Sequence, residues 1–144
     1  MNEYLIAHLF ELGLIGQICL ALILGAIVGF QREIVGRSAG ARTYALVAAG
    51  STLFTILSVV AFGTDTARVA ANIVVGIGFL GAGTILHKVN HVEGLTTAAG
   101  LWAVAAVGMA VGLGYYILAT VTTILVLLVL IIDDKKMLKK EKRK

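Results

Sequence analysis

Residues 94–132 read GLTTAAGLWAVAAVGMAVGLGYYILATVTTILVLLVLII, 39 residues without one charge. A helix needs about 20 apolar residues to cross a bilayer core. The run is therefore one helix far too long for a membrane, or two crossings joined by a tight turn. Three further uncharged runs precede it, at 12–30, 43–64 and 69–86, of 19, 22 and 18 residues. Helix is the only spanning option, because a few spans cannot close a barrel and lipid tolerates no open sheet edge. The reading is an all-α integral membrane protein with transmembrane helices near 12–30, 43–62, 69–86, 95–111 and 115–132. Residues 1–132 form one five-helix domain, and 133–144 form a basic cytoplasmic tail.

Composition points the same way. Of the 144 residues, 59% are hydrophobic and 14% charged, with a mean hydropathy of +0.97. A soluble domain is about 45–50% apolar and about 25% charged. A water-soluble enzyme domain and a disordered chain are both excluded. The single cysteine, Cys19, excludes a disulfide framework within one chain and a multi-cysteine metal site.

Charge chooses between four spans and five. With five spans, Arg32, Arg37, Arg42, Lys88 and the tail cations lie on one side, eleven of the twelve, and only Arg68 lies opposite. The positive-inside rule then places the N-terminus outside and the C-terminus in the cytoplasm. Fusing 94–132 into one helix would put the basic tail outside. The first span does not read as a cleaved signal, since only Glu3 and Glu11 precede it and a signal begins with a basic region. The tail, DDKKMLKKEKRK, reads as an orientation signal with affinity for anionic lipid. No fold or aromatic platform accompanies its charge, so no nucleic-acid partner is expected.

Glycine and polar residues mark the interior. Gly25 and Gly29 have GxxxG spacing, as do Gly108 and Gly112, and small residues four apart let helix backbones approach. Packing within the monomer is the first reading, and a homo-oligomer contact the second. The third span holds Gly76-Ile77-Gly78-Phe79-Leu80-Gly81-Ala82-Gly83. Gly76, Gly78, Gly81 and Gly83 allow close packing, or a locally unwound helix that offers backbone to a ligand. The GxGxxG inside this stretch is no dinucleotide fingerprint, because that motif needs a strand–turn–helix setting absent here.

Two polar clusters flank the glycines. On the cytoplasmic side, Arg32, Glu33, Arg42 and Thr43 of the first loop join Thr96 and Thr97, which open the fourth helix and are candidates to cap it. On the outer side Asp65, Arg68 and Asn72 lie near one helix face, with Asp65 in reach of Arg68 and a candidate N-cap. His87 and His91 have a spacing that suits a metal on a helix but lack a third ligand. No nucleophile–base pair is present, so catalysis is not expected, nor is a cofactor, while metal binding stays an open alternative.

Together these residues resemble the MgtC/SapB family of bacterial inner-membrane proteins. The match runs from Gly25 and Gly29 to Arg32-Glu33, then Gly40-Ala41-Arg42-Thr43, Asp65 with Arg68, the glycine-rich segment 76–83, and Gly94-Leu95-Thr96-Thr97-Ala98-Ala99 with Trp102. The family pattern has Leu at Ala41, Gln at Asn72 and Ser at Val75, and many members carry a soluble C-terminal domain where only a basic tail follows here. The resemblance implies a five-span inner-membrane protein linked to magnesium homeostasis, acid tolerance and virulence. It implies a regulator of other membrane proteins, the F-type ATP synthase among those proposed. The alternative is a transporter or channel for magnesium or another small ion. Expected partners are the lipid bilayer, other membrane proteins and a second copy of the chain.

Overall fold

The computed structural model describes residues 2–61, 63–89 and 91–141. Five helices follow the apolar runs: α1 (Asn2–Ile34), α2 (Ala41–Ala61), α3 (Thr66–Gly83), α4 (Leu95–Gly112) and α5 (Tyr116–Glu141). A 3₁₀ turn, Gly63–Asp65, leads into α3, and two short strands, β1 (Leu86–Lys88) and β2 (His91–Glu93), join α3 to α4. The fold is all-α apart from this hairpin. Helices α1 to α4 are each long and apolar enough to cross a membrane, while the apolar part of α5, Tyr116–Ile132, is shorter.

The turn that divides residues 94–132 is a glycine-terminated helix end. Gly114 has φ +81, and its N–H donates to the Val111 carbonyl at 2.9 Å. The Tyr115 N–H donates back to Ala110, also at 2.9 Å. This paired arrangement satisfies the last carbonyls of α4 and needs a residue without a Cβ at its pivot. The chain reverses there, and α5 returns along α4 and α1.

Helix α2 is clasped between α1 and α4 at backbone distance. A Cβ on Gly25 would lie 2.5 Å from the Tyr44 carbonyl, and one on Gly29 would lie 2.6 Å from the Gly40 carbonyl. From the other side, Gly108 abuts the Ala48 carbonyl, and a Cβ on Gly112 would lie 2.8 Å from that of Thr52. Side chains fill what remains: Ala21, Leu24 and Val28 of α1, Ala48 of α2, and Leu101, Val104 and Val111 of α4 are buried. Helix α4 packs against all four other helices.

Several boundaries differ from the sequence reading. Helix α1 starts at Asn2 instead of residue 12 and runs on to Ile34, so Arg32 and Glu33 belong to its last turns and not to a loop. The Gln17 amide donates to the Tyr116 hydroxyl at 2.8 Å, which sets residue 17 level with the start of α5. The preceding residues project about four turns beyond that level. Helix α3 ends at Gly83, and the segment after it pairs as strands. No helix break occurs near 132, because α5 continues to Glu141; residues 142–144 of the basic tail lie outside the described residues.

The glycine-rich segment is a continuous helix, so the unwound alternative is not what the structure adopts. Of its four glycines, Gly81 meets α4, where a Cβ would lie 3.5 Å from that of Ala98. Gly76, Gly78 and Gly83 have open space beside them, so they bring no two helices of this chain together.

Candidate functional site

The first polar cluster, expected on the cytoplasmic side, divides into a buried part and an exposed part. Arg32, near the end of α1, is completely buried, and its Nη1 donates to Gln31 Oε1 at 3.4 Å. The Tyr44 hydroxyl lies within hydrogen-bonding reach of the Arg32 guanidinium and donates to the Thr97 carbonyl at 3.3 Å. Gly100 makes room for it, since a Cβ there would stand 2.5 Å from that hydroxyl. Buried cations in helical bundles persist only when they are met by polar partners. Arg32, Tyr44 and Thr97 thus tie α1, α2 and α4 together where the three helices converge.

Glu33 serves the same junction from outside. Its Oε2 accepts from the Ala41 N–H at 3.1 Å, one of the first-turn donors of α2 that lack an intrahelical partner. Gly40 lies under the carboxylate, where a Cβ would meet Oε2 at 2.7 Å. Glu33 therefore caps α2.

Arg42 and Thr43 turn away from this core. Both are exposed and line an open groove of about 640 Å³ between α2 and α3. Leu46, Gly50 and Phe54 from α2 face Ile73, Gly76 and Leu80 from α3 across it. Thr97 is buried with Tyr44, and Thr96 is half-buried beside it. Neither residue caps α4: the N-cap is Gly94, with φ +88 and no side-chain capping bond. A Cβ at Gly94 would collide with the Thr84 carbonyl, which excludes any larger residue there.

At the start of α3, Asp65 and Arg68 form an exposed ion pair at 2.5 Å. Asp65 holds the N-cap position of α3 but makes no side-chain capping bond. The Ser58 hydroxyl bridges to the Thr66 carbonyl at 3.2 Å and fastens the start of α3 to α2. Asn72 is exposed, one turn beyond Arg68, and lines the α2–α3 groove. The second polar cluster is thus an ion pair at the helix end with a separate amide facing the groove.

His87 and His91 lie on opposite strands of the hairpin, where His87 pairs with Val92 and Lys88 with His91. Side chains alternate between strand faces, so the two imidazoles point away from each other. Glu93 accepts from Lys88 at 2.7 Å and lies 2.9 Å from His91. Lys88 first, then His91, holds its carboxyl below the usual carboxylate range. Among the described residues no group of three His, Cys, Asp or Glu could hold a metal ion.

Sequence reasoning missed Tyr44, Gly100 and Thr52. The Thr52 hydroxyl is buried and donates to the Gly108 carbonyl at 2.7 Å. Tyr44 is the second residue of the uncharged run 43–64, where an interfacial tyrosine is ordinary, so it gave no signal of its buried role.

A family model described as MgtC family matches residues 18–137. The chain belongs to the MgtC family. It is 42% identical over 111 residues to the Escherichia coli K12 protein named "Putative magnesium transporter YhiD", covering 71% of this chain and 52% of that one. It is 47% identical over 96 residues to "Protein MgtC" of Salmonella typhimurium, covering 67% and 42%. An uncharacterized Haemophilus influenzae protein is 41% identical over 119 residues, covering 73% and 50%. This MgtC-family chain spans about half the length of the curated relatives it matches. No solved structure matches it. Apolar helices and family membership together make it a membrane protein.

Proposed function

We propose that this chain is a five-span protein of the bacterial inner membrane, N-terminus outside, that regulates other membrane proteins during adaptation to low magnesium. It conducts no ion and catalyses no reaction. The observation that carries this reading is the state of three carboxylates among the described residues, Glu33, Asp65 and Glu93. A Mg²⁺ site uses one or two carboxylates together with waters. Glu33 is engaged by the Ala41 N–H, Asp65 by Arg68, and Glu93 by Lys88 and His91. Each is held at a helix end or in the hairpin, while the convergence of α1, α2 and α4 holds the buried cation Arg32. A fixed positive charge in a medium of low dielectric opposes passage of a divalent cation.

The second reading, transport, draws on the name of the Escherichia coli relative. Mg²⁺ flux into proteoliposomes separates the two, with Asp65→Ala and Asn72→Ala in parallel. No flux from folded, oriented protein is the expected result. Saturable flux that the two substitutions abolish would establish transport along α3 and overturn the regulatory reading.

A further inference from the structure

We infer that the groove between α2 and α3 binds one acyl chain of an anionic phospholipid from the cytoplasmic leaflet, with the lipid phosphate on Arg42. The inference rests on the membrane orientation proposed above. It concerns a lipid ligand and not the regulated partner.

Three features choose this occupant. The first is the lining. On α3 the groove runs from Val69 to Leu80, and eleven helical rises make it about 16 Å long. Apart from Arg42, Thr43, Ser51 and Asn72 its walls are apolar, which suits an alkyl chain. The second feature is position, since on α2 the groove runs from Arg42, at the start of the helix, inward to Phe54 and so opens at one end of the bundle. The third is charge. Arg42 stands at the groove end beside the start of α2, exposed, and no ion pair or hydrogen bond is found for it among the described residues. A guanidinium recognises phosphate through paired N–H donors. No acidic side chain lines the groove.

Glycines supply the test. Gly50 and Gly76 line the groove, and beside either one a Cβ would meet nothing within 4 Å. Leucine at either position fills the groove without pressing on the bundle. Gly78 also has open space but lies outside the groove, so Gly78→Leu is the control. Native mass spectrometry of the detergent-purified protein, titrated with dioleoyl phosphatidylglycerol or dioleoyl phosphatidylcholine, reads the stoichiometry and affinity. One tightly held phosphatidylglycerol per chain is expected beyond those that the basic tail attracts, and phosphatidylcholine should bind that site more weakly. Arg42→Gln should lower that preference about fivefold, the worth of one cation at an anionic surface. Gly76→Leu and Gly50→Leu should lose the bound lipid, and Gly78→Leu should retain it. Equal binding of the two lipids, unchanged binding by Arg42→Gln, or retention by both leucine variants overturns the inference. So does a dimer that dissociates in Gly76→Leu, which would make a second copy the occupant. The assay contains no magnesium, so its failure leaves the regulatory reading standing, and a transport result leaves the lipid site standing.

Discussion

Gly94 and Gly78 look alike in the sequence, and the structure gives them opposite roles. Gly94 has a positive φ and sits against the Thr84 carbonyl, whereas Gly78 is mid-helix with nothing beside it. Gly94→Ala should destabilise the folded protein by about 1 kcal/mol or more, since alanine disfavours that backbone region. Gly78→Ala should leave stability unchanged or raise it by up to about 1 kcal/mol. Thermal unfolding in detergent compares the two directly; equal melting shifts would show that the N-cap of α4 does not require a glycine at position 94. Tyr44→Phe removes the hydrogen bond to Thr97 and one polar neighbour of Arg32. The expected cost is about 1 kcal/mol, and a variant melting with the wild type would show that the hydroxyl contributes nothing. Neither Tyr44 nor Thr52 was legible as a site residue, because a hydroxyl inside an apolar run gives no sign of which carbonyl of another helix it will meet.

At the scale of elements, the apolar runs were legible and their junctions were not. Runs of uncharged residues mark where helices can exist, but local pairing sets their ends. The last turns of α1 extend past its apolar run because Arg32 is drawn into the bundle and Glu33 onto α2. The hairpin escaped notice because three-residue strands are too short to show a period of two. Its stability should depend on pH. The folded carboxyl of Glu93 is held low, so its contribution is complete above the ordinary carboxylate range and lost as pH falls through the lowered value. Cross-strand NMR contacts between His87 and Val92 should weaken on acidification, and Glu93→Gln should remove that dependence. A wild-type hairpin indifferent to acid would contradict this account. GxxxG spacing likewise told that two helices would approach, but not which two. Both glycine pairs turn out to address α2. Gly108→Ala, which drives a methyl at the Ala48 carbonyl, should lower the melting temperature far more than Gly81→Ala, which meets Ala98 at ordinary contact distance.

For the whole molecule, the topology proposed from charge has a direct test. In a Cys19→Ala background, Ala67→Cys near the start of α3 should react with a membrane-impermeant maleimide on intact spheroplasts. Ser38→Cys, between α1 and α2, should react only after lysis. The reverse pattern would invert the protein and place Arg42 in the outer leaflet.

The clasp around α2 also sets an order of events. Helices α1 and α2 leave the ribosome well before α4, so one side of α2 meets its glycine partners early and the other must wait. Until residue 112 has emerged, Thr52 has no Gly108 carbonyl to donate to, and that side of α2 is bare to lipid or to the translocon. A nascent chain stopped before Leu95 therefore carries an unfilled polar seam. Membrane quality control should clear such a chain quickly and spare the finished one.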